Sequence, residues 1–168
     1  MDAGIEIVLV LSITIFPVVA SYWRKRRVVT MAIIEPKIKY PHMLPVEAEI
    51  WDKFLKIRQP PFINLEYDVH VGDVPPIPET LPEYLRGMFQ SVYSKRIDVV
   101  AHDPDVIYVI EVKPRAGLSA LGQCLAYKYL YERDFKPDKP VQMRIVCERE
   151  EPNIREIAEQ QGVYIWKV

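Results

Sequence analysis

Asp98, Glu111 and Lys113 are the residues whose types and spacing point most directly to chemistry, and they lie in the stretch RIDVVAHDPDVIYVIEVK that runs from Arg96 to Lys113. Side chains alternate faces along an extended strand, so Glu111 and Lys113 point one way and Val112 the other. The runs 95–101 and 106–113 are rich in β-branched residues, and His102-Asp103-Pro104-Asp105 between them has the composition of a tight turn. A hairpin is expected. If it closes with Ala101 opposite Val106, Asp98 lies opposite Val109 and shares the face of Glu111. A slip of one residue would put Asp98 on the wrong side, so the inference depends on the turn. Carboxylate oxygens gathered in this way suit a hard cation such as Mg²⁺ or Mn²⁺. The ion would polarise a phosphodiester, lower the pKa of a bound water and neutralise charge developing at phosphorus. Lys113 could then stabilise that charge or position the nucleophile. The competing reading is a solvated Glu–Lys pair on a surface hairpin, because E-x-K is common by chance.

The surrounding periodicities say which elements must position these groups. Residues 45–57 (PVEAEIWDKFLKI) place Val46, Ile50, Phe54 and Ile57 at helical spacing, with Pro45 suited to the first turn. Residues 63–71 alternate apolar and polar as a strand does, and the proline-rich GDVPPIPETLP of 72–82 reads as a loop. Residues 83–90 fit either a short helix or part of a longer strand. Residues 118–131 (LSALGQCLAYKYLY) repeat apolar side chains at 118, 121, 125 and 129, which predicts a helix with Ser119 near its start. A strand at 141–147, a helix at 153–161 ended by Gly162 and a last strand at 163–168 complete the chain. A helix between two strands favours a parallel pairing, so the expectation is an α/β fold with a mixed sheet and helices on both faces.

Gln123 and Tyr127 lie four residues apart on one face of the predicted 118–131 helix, where either could reach a phosphate or hold a water. With an acid on one strand, E-x-K on the next and a helix after a short link, the segment resembles the PD-(D/E)XK nuclease superfamily, whose fold is restriction-endonuclease-like. Gly-Gln123-Cys-Leu-Ala-Tyr127 is similar to the Q-x-x-x-Y motif of its RecB-type exonuclease branch. The resemblance spans about residues 45–168 and implies Asp98, Glu111, Lys113 and Gln123 as catalytic residues. It also implies an acid in the first helix as a third metal ligand beside Asp98 and Glu111. Glu47 is the candidate and Glu49 the second choice, against a plain first-turn glutamate favoured by the helix dipole. Tyr127 is as readily a core aromatic. Two departures stand out: Ile97 replaces the proline before the first acid, and the 72–82 loop is longer than the family core needs, as a lid or docking arm would be.

Composition sets limits on the partner. A chain of 168 residues suits one domain with attachments. Four of its 22 positive charges and two of its 23 negative ones lie in residues 1–30, leaving a net charge of −3 beyond them. That excludes a sequence-independent DNA coat, so DNA contact has to come from a local patch, for which Lys95, Arg96, Arg115, Lys128 and Tyr127 are the candidates. His42, His70 and His102 show no zinc-ligand spacing, and Cys124 and Cys147 read as reduced core residues. Residues 7–23 carry no charge and end at Arg24-Lys25-Arg26-Arg27. Within residues 1–30, the segment 5–23 is therefore expected to be either a membrane span anchoring a cytoplasmic domain of residues 31–168, or an apolar arm packed on a partner chain. The leading expectation is a Mg²⁺- or Mn²⁺-dependent deoxyribonuclease. The alternative is a catalytically silent domain of the same fold, serving as a structural or DNA-binding part of an assembly such as a virus particle.

Overall fold

The two acid-bearing runs do fold back on each other, but two residues out of the expected register. A computed structural model describes residues 40–168. In it β2 (Lys95–His102) pairs antiparallel with β3 (Ile107–Ala116), matching Val99 with Ile110, Val100 with Val109 and His102 with Ile107. The turn explains the offset. The Asp103 amide donates to the Val106 carbonyl and the Asp105 amide to Asp103 Oδ1, so Val106 is absorbed into an Asx-type turn and does not start the strand. Val100 rather than Asp98 therefore faces Val109. Because the slip is even, each side chain of the paired stretch keeps its face.

The sheet is mixed, in the order β1-β2-β3-β4-β5. β1 (Asn64–Val71) is antiparallel to β2, whereas β4 (Val141–Glu150) and β5 (Val163–Lys167) continue in parallel from β3. Helix α1 (Pro45–Arg58) covers one face, packing Ile50, Trp51, Phe54 and Leu55 on Val99, Ala101, Ile110 and Val112. On the other face lie α3 (Leu118–Phe135) and α4 (Ile154–Gln160), which bury Ala120, Leu121, Cys124, Ile154 and Ala158 against Met143, Ile145, Cys147 and Val163. The expected α/β architecture of a mixed sheet flanked by helices is thus the one the chain adopts.

Two helix faces differ from their sequence patterns. In α1, Val46 and Ile57 are exposed, and Trp51 and Leu55 take their places in the core. In α3, Leu118, Leu125 and Tyr129 are exposed, and the buried stripe is Ala120, Leu121, Cys124, Tyr127 and Tyr131. Ala120 and Cys124 let the helix approach the sheet closely near Met143 and Ile145, while Tyr127 and Tyr131 cover Val100, Ile107 and Val109. The 83–90 alternatives resolve as helix α2 (Glu83–Tyr93). The apolar segment 5–23, its basic cluster and the boundary at residue 30 lie outside the described residues. Among the described residues no helix is long and apolar enough to cross a membrane.

Gly72 ends β1 with φ +83°, and a Cβ there would meet Leu130 Cδ1 at 3.2 Å. Gly72→Ala combines a strained backbone with a tight contact and is expected to cost about 1 kcal/mol in urea or thermal unfolding. An unchanged midpoint would show that the 72–82 connection adjusts freely.

Candidate active site

Regular pairing stops at Asp98. The β1–β2 ladder matches Tyr67 with Val99 and Val69 with Ile97 but has no pair between Asp68 and Asp98, and the β2–β3 ladder ends at Val99–Ile110. Asp68 sits in the left-handed region, with φ 56°. Leu65 and Tyr67 pack on the α1 side of the sheet, whereas Val69 and Val71 pack on the α3 side. Alternate residues of a regular strand share a face, so β1 turns over at Asp68. β2 does the same at Asp98, with Val99 and Ala101 on the α1 side and Ile97 on the α3 side. Freed from the ladder, Asp98 turns its carboxylate to β3 and accepts the Val112 amide on Oδ2 at 2.8 Å. A side chain here replaces the backbone acceptor of a regular sheet.

The expected acids then meet at one ammonium. Lys113 Nζ lies 2.8 Å from Glu47 Oε1, 2.9 Å from Glu111 Oε1 and 3.8 Å from Asp98 Oδ2. Glu47 is the first-turn glutamate of α1 and also faces the lysine. Its Oε2 accepts the Leu44 amide at 2.9 Å, which caps the start of α1, while Oε1 faces Lys113. Glu49, the second choice, is exposed. Among the described residues no group of three His, Cys, Asp or Glu side chains is arranged to hold a metal ion; the carboxylates face the ammonium instead.

The electrostatics follow from this burial. Glu111 is 1% exposed, and its Oε2 is buried with no hydrogen-bond partner. Burial, reinforced by the charge of Asp98, pushes its carboxyl up to about 8. Asp98 is raised to about 6 by burial, against the opposing pull of Lys113 and the Val112 amide. Burial alone would lower the Lys113 ammonium, but the charges of Asp98 and Glu111 and the bonds to Glu47 and Glu111 outweigh it and hold it well above its ordinary value. The donor set is chemically suited to a hard divalent ion: all oxygen, two acids raised by burial, and one buried oxygen without a partner.

Helix α3 brings Gln123 and Tyr127 to the same place. Gln123 Nε2 donates to the Tyr127 hydroxyl at 3.2 Å. Burial raises the Tyr127 phenol, and the charges of Glu111 and Asp98 push it further up. Tyr127 is also packed in the core beside Val100 and Val109, as the core-aromatic reading expects. Cys124, one turn earlier, is buried behind Glu111, and its thiol is pushed far up by burial. Of the basic candidates, Lys95 and Arg115 are exposed near the site ends of β2 and β3. Arg96 is half-buried on Asp68, and Lys128 lies 3.8 Å from Glu132 along α3.

The sequence reading missed Asp68. Arg96 Nη1 donates to both its oxygens at 3.1 and 3.2 Å, and His42 and His70 place Nε2 at 3.3 and 3.6 Å from Oδ2. An Asp in a strand pattern gives no sign of left-handed geometry beyond the general tolerance of Asp and Asn for it.

No protein-family model matches this chain, and no curated protein matches it significantly. Among solved structures, the crystal structure of a repair endonuclease from Pyrococcus abyssi is similar at 20% identity and a TM-score of 0.44, covering 77% of this chain and 48% of that one. The chain thus spans about half the length of the solved structure it matches.

Proposed function

We propose that this domain is a metal-dependent nuclease that hydrolyses DNA phosphodiester bonds. The observation that carries this reading is the Glu111 carboxylate, almost wholly buried with one oxygen unpartnered, beside Asp98, Glu47 and the Lys113 ammonium. A structural core has little use for three converging carboxylates, since taking each out of water costs several kcal/mol. A cation site does.

Asp98, Glu111 and Glu47 would hold Mg²⁺ or Mn²⁺. When bound, such an ion supplies Lewis-acid polarisation of a phosphoryl oxygen and a water of lowered pKa. The chain's own groups supply the rest. Lys113, held cationic by its neighbours, stabilises negative charge as it builds on a phosphoryl oxygen. Gln123 and Tyr127, bonded to each other beside the acids, orient the attacking water. Lys95, Arg96, Arg115 and Lys128 are the side chains available to contact the strand's phosphates.

The test is cleavage of a panel of single-stranded, duplex and nicked DNA with Mg²⁺ or Mn²⁺, comparing the native chain with Glu111→Ala. The variant is expected to lose at least about 10²-fold in rate. Absence of cleavage by the native chain under all conditions would leave a silent domain of this fold and end the enzyme reading.

A further inference from the structure

Arg115 and Arg149 stand apart from the other arginines among the described residues. Arg58, Arg86, Arg96, Arg133 and Arg155 each donate to a carboxylate or a backbone carbonyl, and Arg144 lies over the rings of Tyr108, Tyr164 and Trp166. The side chains of Arg115 and Arg149 are exposed, and among the described residues neither has a hydrogen bond, ion pair or ring contact. They are also neighbours. The parallel β3–β4 ladder matches Arg115 with Arg149, two places beyond the match of Lys113 with Cys147. In-register residues of adjacent strands lie about 4.8 Å apart and share a face of the sheet, so the two stems leave the backbone side by side. Like charges in that relation repel. The acids nearest in sequence are turned elsewhere: Glu148 pairs with Lys53 on α1 at 3.6 Å and Glu150 with Arg155 on α4 at 2.7 Å. The Glu151 carboxylate lies against Gly117 at the start of α3 and makes no ion pair with either arginine.

From this arrangement we infer that Arg115 and Arg149 together hold one phosphodiester group of the substrate strand, next to the one that is cut. The assignment rests on the nuclease reading and adds to it a residue, Arg149, and a shared ligand. An anion seated between the two guanidinium groups removes their repulsion, and each group offers a planar fork of N–H donors that matches phosphate oxygens. Arg115 is two residues from Lys113, or about 7 Å along the strand, a distance comparable to the step between consecutive phosphates of a nucleic-acid chain. Beyond residue 30 the chain carries a net charge of −3, so a phosphate has to be met by positive charge gathered locally, and two unpaired guanidinium groups at the site end of the sheet provide it.

The experiment is fluorescence-anisotropy titration of the full chain with a labelled DNA duplex over a range of salt, with Ca²⁺ replacing Mg²⁺ to suppress turnover. Arg115→Gln and Arg149→Gln are each expected to raise Kd roughly tenfold, as loss of one charge-assisted hydrogen-bond set does. Because both side chains act on one phosphate, the double variant should fall short of the product of the two single effects. It should also lower the salt slope by about one ion, where two separate phosphates would lower it by about two. Lys56→Gln makes the same charge change at an exposed position in the last turn of α1, the end away from Glu47, and should move Kd less than about twofold. Both arginine variants should keep or raise the melting temperature, since each relieves the repulsion on its neighbour, whereas loss of an arginine with a structural role lowers it. Three results each overturn the assignment while leaving the nuclease reading intact: an effect of Arg149→Gln no larger than that of Lys56→Gln, fully multiplicative effects with a slope change of two, or a lowered melting temperature for either single variant. Failure of the native chain to bind DNA at all removes both.

Discussion

Lys113→Met is expected to destabilise the fold by about 3–5 kcal/mol near pH 8, because it leaves three carboxylates facing one another with no positive charge among them. Met matches the length of the lysine stem, so the loss is electrostatic and not a cavity effect. The deficit should shrink as pH falls and the acids take up protons. It should also shrink on addition of millimolar Mg²⁺ or Mn²⁺ if an ion can take the place of the ammonium. Differential scanning fluorimetry across pH, with and without the ion, reads both dependences. A melting temperature unaffected by the substitution at pH 8 would mean that the ammonium is not what holds the acids together.

Glu111→Gln should act in the opposite direction on stability while removing cleavage. The Glu111 carboxyl rises from an ordinary 4.5 to about 8 on folding, and that of Asp98 from 3.8 to about 6. A carboxyl raised by folding contributes stability that is fully present below its unfolded value and is lost as pH climbs through the folded one. The metal-free native chain should therefore lose stability steadily between about pH 4 and pH 8. Glutamine stays neutral throughout and flattens that slope. At pH 9 the variant is expected to exceed the native chain by on the order of 2 kcal/mol, a shift partly offset by the lost contact with Lys113. In the Lys113→Met background the same substitution should restore much of what was lost. A variant less stable than the native chain at pH 9 would show that Glu111 is ionised and well satisfied, against the burial argument.

The element order, the mixed sheet and the convergence of Asp98, Glu111 and Lys113 were readable from residue types and spacing, whereas Glu47 was suggested only by the family resemblance. What was not readable has specific causes. The register of the hairpin depended on whether Val106 starts a strand or completes a turn, and the Asp103 carboxylate decided that through one hydrogen bond. The periodicity of α3 misled because the stripe 118, 121, 125 and 129 was taken as the inner face, whereas Ala120, Cys124, Tyr127 and Tyr131 join Leu121 against the sheet. The turnover of β1 and β2 at Asp68 and Asp98 left no pattern, since period-two reasoning assumes that the chain does not rotate midway. The expected convergence rested on that assumption and is reached by another route, since Asp98, unpaired at the turnover, bonds β3 through its side chain.

The separation in sequence between Glu47 and Lys113 sets an order of assembly. The β2–β3 hairpin closes over a short turn, so Asp98 and Glu111 can be brought near each other on the fast timescale of local contacts. Glu47 must come from 66 residues away and reaches Lys113 only when α1 docks on the sheet. The complete constellation therefore requires the long-range docking of α1, whereas the pairing of Asp98 with β3 requires only the hairpin.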